Sequence, residues 1–141
     1  MARGFTLIEL IVVMVLLGVL SVFLLPTLKP DDFATRGFRD ETTALLRFAQ
    51  KTAVAQRRMV CVSVQATGLR LQMDAASPPS GACAQALQAP SRLQGGQGLS
   101  SSVSNFHFTP LGGTNQASNI TLSLAGLQPI VVEASSGYVH D

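Results

Sequence analysis

Arg3-Gly4-Phe5-Thr6-Leu7-Ile8-Glu9-Leu10 runs straight into Ile11-Val12-Val13-Met14-Val15-Leu16-Leu17-Gly18-Val19-Leu20, and this stretch decides how the chain is read. Residues 5–25 carry a single charge, Glu9. A helix of about 20 apolar residues spans a bilayer, so the run is long enough for one. A cleaved secretory signal would show an apolar core of roughly 7–15 residues and a small-x-small cleavage site. This run is longer, and Ser21-Val22-Phe23-Leu24-Leu25-Pro26 offers no such pair. Arg3 precedes the run, while Lys29 behind it is followed by Asp31 and Asp32. The positive-inside rule then puts the amino terminus in the cytoplasm and the rest of the chain in the periplasm of a Gram-negative cell.

Glu9 needs its own account. An ionisable group inside a span costs a few kcal/mol, roughly, and is usually kept for a function with a nameable partner. The other reading is that Glu9 lies close enough to the interface for its carboxylate to reach water.

The residues around Glu9 decide between these. Taken together they resemble the type IV prepilin motif: Gly4, then the apolar Phe5 as a new terminus, then Glu9 at the fifth mature position. Pro26 falls where many pilins carry a helix-kinking proline. The resemblance implies cutting by prepilin peptidase between Gly4 and Phe5, N-methylation of Phe5, and a role for Glu9 in subunit assembly. Cutting creates an ammonium at Phe5, and the Glu9 carboxylate of one subunit can pair with it on a neighbour. Each charge offsets the desolvation of the other, and such a buried pair is best attested as a register device. The expected organisation is a leader at residues 1–4, a transmembrane and assembly helix at 5–28, and a periplasmic domain at 29–141.

Composition agrees with that division. Mean hydropathy is +0.34, high for a soluble chain, and the excess sits in the first 28 residues. The remainder is one modest domain rich in Ser, Gln and Gly. A formal charge of +2 gives no reason to expect a polyanionic partner. Two cysteines beyond a membrane segment suggest an oxidising compartment and one disulfide.

Residues 33–59 have helical spacing. Phe38, Thr42, Leu45, Leu46, Ala49, Thr52, Ala53 and Gln56 recur at three- and four-residue steps and make one mostly apolar face. Arg36 and Asp40 stand four apart and are expected to pair on the surface. Pro26, Pro30 and Gly37 predict a bend or interruption behind the first helix. After Met59 the period becomes two. Val60, Val62 and Val64 share one face, and after Ala66-Thr67-Gly68 the alternation resumes at Leu69, Leu71 and Met73, which is a hairpin. Residues 75–102 have no strong period, and their length predicts a short element or a pinned loop. Phe106 and Phe108, then Ile120 to Leu124, then residues 130–133, and finally Gly137-Tyr138-Val139 mark further strands. The fold class is α+β: a long amino-terminal helix, half transmembrane and half amphipathic, packed on an antiparallel sheet.

Three further stretches look like the GspH/FimT group of minor pilins and pseudopilins. They are residues 44–53 leading to Arg57-Arg58-Met59-Val60-Cys61-Val62, then Phe106-His107-Phe108-Thr109-Pro110-Leu111-Gly112, then Ile130-Val131-Val132-Glu133 before Gly137-Tyr138-Val139. Within the group, the MshC-like pilins of mannose-sensitive haemagglutinin pili are the most similar. The resemblance implies a minor subunit that initiates or assembles a type IV pilus. The alternatives are a type II secretion pseudopilin of GspH type and a DNA-binding minor pilin used in DNA uptake. Its implied partners are prepilin peptidase, other major and minor pilins or pseudopilins, the inner-membrane assembly platform and membrane lipid.

Chemistry-bearing patterns are few. His107 alternates with two inward phenylalanines, so it points out of its strand into solvent, and His140 is in the terminal tail. Two His and two Cys at these separations match no zinc pattern. No Gly-x-Ser-x-Gly and no P-loop occurs, so no enzyme and no cofactor or metal is expected. Arg47, Lys51, Arg57 and Arg58 form a mild basic cluster, the one candidate footprint for DNA. The terminal Gly137-Tyr138-Val139-His140-Asp141 holds no Lys or Arg, so DNA is not the expected partner. Cys61 faces away from the valines and Cys83 lies in the long loop. Their disulfide is expected to hold that loop.

Overall fold

In α2, Pro30–Gln56, every buried apolar side chain comes from the face the spacing picked out: Phe38, Leu45, Leu46, Ala49 and Ala53. The computed structural model describes residues 6–24, 30–89 and 95–141. It divides into two compact units, Met1–Phe33 and Ala34–Asp141.

The first unit contains α1, Leu7–Leu24. Its 18 residues rise about 27 Å, against a hydrocarbon thickness of roughly 30 Å. Among the described residues no helix is long and apolar enough to cross a membrane. The apolar run in the sequence reaches residues 5 and 25, which are outside the described residues. Pro26 lies there too.

Gly37 does not interrupt α2, which runs through it unbroken. Pro30 stands at the first helical position, where a missing N–H costs nothing. The helix ends at Gln56, three residues before the expected Met59. Arg57 N–H donates to the Val54 carbonyl (3.3 Å) and Arg58 N–H to the Ala53 carbonyl (3.1 Å), while Arg57 takes φ 51°. That is a Schellman closure with arginine at the position glycine usually fills. Gln56, placed on the inner face by spacing, is exposed because the helix has ended.

The strands are β1 Val60–Gln65, β2 Gly68–Asp74, β3 Cys83–Ala86, β4 Ser100–Ser101, β5 Asn105–Phe108, β6 Ile120–Ser123, β7 Ile130–Val132 and β8 Val139–His140. They make two antiparallel sheets, in the orders β3-β2-β1-β5 and β4-β6-β7-β8. The hairpin β1–β2 pairs Val60 with Met73, Val62 with Leu71 and Val64 with Leu69, so the alternating apolar residues lie opposite one another. β5 crosses to the other side of β1, setting Phe106 against Val62 and Phe108 against Val60. The division into two sheets was not expected. Two strands of the second sheet are only two residues long, too short to carry a period.

Both sheets turn their apolar faces to α2. Val60, Val62, Leu71, Met73, Phe106 and Phe108 join Ile120, Leu122, Ile130, Val132 and Val139 in one core with Leu45, Leu46 and Ala49. Phe106 and Phe108 meet edge to face, their ring centres 5.5 Å apart.

Residues 75–102 contain β3 and β4, and the loop 76–82 closes on Asp74. This carboxylate is buried with four donors around it. Its Oδ1 accepts from Ala76 N–H (2.9 Å) and the Ser80 hydroxyl (3.0 Å), and its Oδ2 accepts from Gly81 N–H (2.8 Å) and Ala82 N–H (3.3 Å). Cys61 and Cys83 form a disulfide one residue beyond that loop, joining β1 to β3 across β2.

Candidate assembly surfaces

Thr6 starts α1. Its carbonyl accepts the N–H groups of Glu9 and Leu10, and its hydroxyl oxygen lies 3.4 Å from Glu9 N–H. Thr6-Leu7-Ile8-Glu9 therefore has the spacing of a capping box, with the acid in the first turn where the helix dipole favours it. The sequence reading missed this second role, although the Thr-x-x-Glu spacing was there to be read. No cation lies within ion-pair distance of Glu9 among the described residues. Gly4 and Phe5, and so the ammonium that cutting would create, lie outside them.

Behind Glu9, every large apolar side chain from Leu7 to Leu20 is 46% to 76% exposed, on all sides of the helix. A helix that is apolar all round belongs in a membrane or inside a bundle. Elsewhere the molecule behaves in the opposite way. Among the described residues of Ala34–Asp141, only Val54, Leu111 and Tyr138 are large, apolar and exposed.

The cations of α2 do two kinds of work. Arg39 Nε donates to the Gln128 carbonyl (2.9 Å), and its Nη2 lies 3.2 Å from Asp141 Oδ1. Arg47 donates to the Val139 carbonyl through Nε (3.3 Å) and Nη2 (3.1 Å). Gln50 donates to the Ser136 carbonyl (2.8 Å) and, at 3.4 Å, to that of Gly112. This row fastens the carboxy-terminal segment to the helix. Asp40 lies nearest Arg39 (3.8 Å), not the expected Arg36, because Arg39 turns toward the carboxy terminus beside it. Arg47 therefore leaves the proposed basic cluster, since its guanidinium is committed within the fold. Lys51, Arg57 and Arg58 have no carboxylate within 4.0 Å among the described residues.

The outer face of the first sheet carries a shallow depression of about 420 Å³, lined by Gln65, Arg70, Gln72, Asn105, His107 and the disulfide. His107 is half-buried rather than solvated, and burial lowers its pKa from the ordinary 6.5. Ser63 and Asn115 also line this depression, and no carboxylate or free thiol is among its lining residues. Among the described residues no group of three or more His, Cys, Asp or Glu is placed to hold a metal ion.

The amino-terminal sequence and the domain both have relatives. Residues 1–25 match the prokaryotic N-terminal methylation motif, and residues 40–137 match the type II transport protein GspH. Two crystal structures of the type IV minor pilin FimU from Pseudomonas aeruginosa are similar to this chain. One has a TM-score of 0.55 at 17% identity, covering 78% of this chain and 89% of FimU. The other has a TM-score of 0.51 at 17% identity, with 74% and 90% covered. At that identity the likeness shows the fold, α+β with a helix packed on antiparallel sheets. No curated protein matches the chain. With residues 40–137 matched, well over half its length, the chain belongs to the GspH family of type II transport proteins, whose pilin and pseudopilin members are structural subunits and not enzymes.

Proposed function

We propose that this protein is a minor subunit of a type IV pilus of the mannose-sensitive haemagglutinin kind, acting in initiation or assembly. Prepilin peptidase cuts between Gly4 and Phe5, and Phe5 is methylated. Residues 5–28 hold the subunit in the inner membrane, with the leader cytoplasmic and residues 29–141 periplasmic, until the assembly platform moves it into the filament. Among neighbouring subunits, the Glu9 carboxylate pairs with a Phe5 ammonium, and Pro26 kinks the helix. The observation that carries this reading is an exposed apolar helix within a methylation motif, followed in the chain by a domain with its own core. Such a helix is satisfied in lipid and again in a helical bundle, which is the route of a filament subunit.

Intact-mass analysis of the membrane protein tests the processing, with a methylated Phe5 terminus expected. Met1 retained in assembled filaments would overturn it. Glu9→Ala should insert normally, because removing a charge makes the span more apolar, yet enter filaments at least about tenfold less. Glu9→Gln keeps the side-chain length at the capping position and removes the charge, so it should fail equally if the charge is what matters. The match of residues 40–137 to a type II transport protein favours a second reading, a secretion pseudopilus subunit. Deletion separates the two: loss of surface pili supports the first, and loss of exoprotein secretion with normal pili supports the second. DNA uptake is the weakest reading, because Arg47 is committed to Val139.

A further inference from the structure

We propose that Val54, Leu111 and Tyr138, with Lys51, Arg57 and Arg58 beside them, form a docking surface for the globular domain of a different filament subunit. That subunit presents an apolar side chain ringed by carboxylates. The proposal rests on the reading of this chain as a filament subunit.

The three apolar side chains are 47%, 96% and 57% exposed, and they come from segments that meet at one place. Val54 Cγ2 stands 3.4 Å from where a Cβ on Gly112 would be, next to Leu111. The Gly112 carbonyl lies directly against Gly137, next to Tyr138, leaving no room for a side chain there. Gln50, one turn before Val54, bonds the Ser136 and Gly112 carbonyls and closes the junction. Leu111 is carried on a tight turn held by Thr109 N–H to the Gly113 carbonyl (2.8 Å) and Gly112 N–H to the Thr109 carbonyl (2.9 Å). A fixed, outward apolar side chain in a unit that buries its other large apolar residues is what a contact surface needs.

Charge chooses the occupant. Val54 sits between Lys51, three residues before it, and Arg57 and Arg58, three and four residues after it. Arg57 is the only non-glycine residue with positive φ among the described residues. A side chain is held there at a steric cost that glycine would avoid, and the Arg57 side chain makes no hydrogen bond or ion pair within the described residues. Its guanidinium therefore points to a role outside the chain. A second copy on a twofold axis would bring these cations against their own counterparts, which favours an unlike, acidic partner. Nucleic acid would use the cations but leave Leu111 unsatisfied.

The test places a benzophenone amino acid at position 111 of the full chain in its own host, and at position 16 as a control. Adducts are identified by mass spectrometry. The expected adduct from position 111 joins a different prepilin-type protein at a peptide containing Asp or Glu. The double change Arg57→Glu with Arg58→Glu should lower its yield at least fivefold, and Arg57→Lys should preserve it. An adduct with a second copy, with lipid or with DNA, or no adduct, overturns the proposal. If position 16 still joins a prepilin-type protein, only the docking surface falls. If both positions fail, the filament reading falls with it.

Discussion

Leu16 and Leu46 are the same residue in opposite situations. Leu16 on α1 is 56% exposed, whereas Leu46 on α2 is fully buried. The large apolar side chains from Leu7 to Leu20 are like the first, and the inner face of α2 is like the second. A helix apolar on every side is satisfied in lipid or among other helices. The domain satisfies its apolar groups, its carboxy-terminal carbonyls and the Asp74 carboxylate within itself. The difference teaches where apolar surface is left exposed among the described residues: from Leu7 to Leu20 on α1, and at Val54, Leu111 and Tyr138 in the domain.

The largest expected effect breaks this comparison directly. Leu46→Ala should destabilise the domain by about 3 kcal/mol, because it removes buried methyls and leaves a cavity. Leu16→Ala should leave the thermal unfolding of the domain unchanged and act only on filament incorporation. Calorimetry of both variants in detergent checks this. An equal loss of stability would mean that α1 is folded against the domain after all.

Next in size is the disulfide. Cys61 and Cys83 are 22 residues apart in sequence, and their bond closes a loop worth roughly 3 kcal/mol in the chain-entropy model. Replacing both by Ser should cost somewhat less, because the loop is also fixed by Asp74. Denaturant titration of the oxidised and Ser-substituted proteins gives the difference. No change would show that Asp74 alone holds residues 75–82.

A smaller effect is expected from Arg47→Ala. Two charge-assisted bonds to one carbonyl are worth about 1–2 kcal/mol at a partly buried site. The loss should appear as faster hydrogen exchange at Val139 and its neighbours, with β1 and β2 unaffected. Uniform acceleration across both sheets would mean that the carboxy-terminal segment is not a separate fastening.

What could be read in advance follows the range of each interaction. The alternation of Val60, Val62 and Val64 with Leu69, Leu71 and Met73 is local, and the hairpin and its register were legible. So was the inner face of α2. The two-sheet division was not, because β5 joins β1 across about 40 residues and β4 and β8 are two residues each. The end of α2 was misplaced because its Schellman closure uses Arg57 where a glycine would have announced it. The fastening by Arg39, Arg47 and Gln50 spans more than 60 residues each time, and no local pattern marks it. Asp74 carries no signal in the sequence. Its Ser80 and Gly81 partners look like ordinary turn residues until the loop has closed on them.

Asp74 supplies the last comparison, read from the pH dependence of stability. Donation by Ala76 N–H is the leading cause holding its pKa below the ordinary 3.8. Burial opposes this, and Ser80 and Gly81 add to the lowering. A depressed carboxyl stabilises the fold in its charged form. The contribution is complete above 3.8 and is lost as pH falls from there through the lower folded value. His107 has its own window. Burial lowers its pKa, so the unfolded chain takes up the proton more readily, and stability falls as pH drops below 6.5. The two windows open at different pH, below 6.5 for His107 and below 3.8 for Asp74. Wild-type unfolding free energy should decline in two steps on acidification. His107→Gln should remove the upper step, and Asp74→Asn the lower. Asparagine keeps an acceptor for Ala76 N–H but sets an amide donor against Gly81 and Ala82 N–H, so exchange at those two amides should quicken at pH 7 while the acid sensitivity disappears. If that exchange is unchanged with the disulfide intact, the Asp74 carboxylate does not close residues 75–82, and the Cys61–Cys83 bond does.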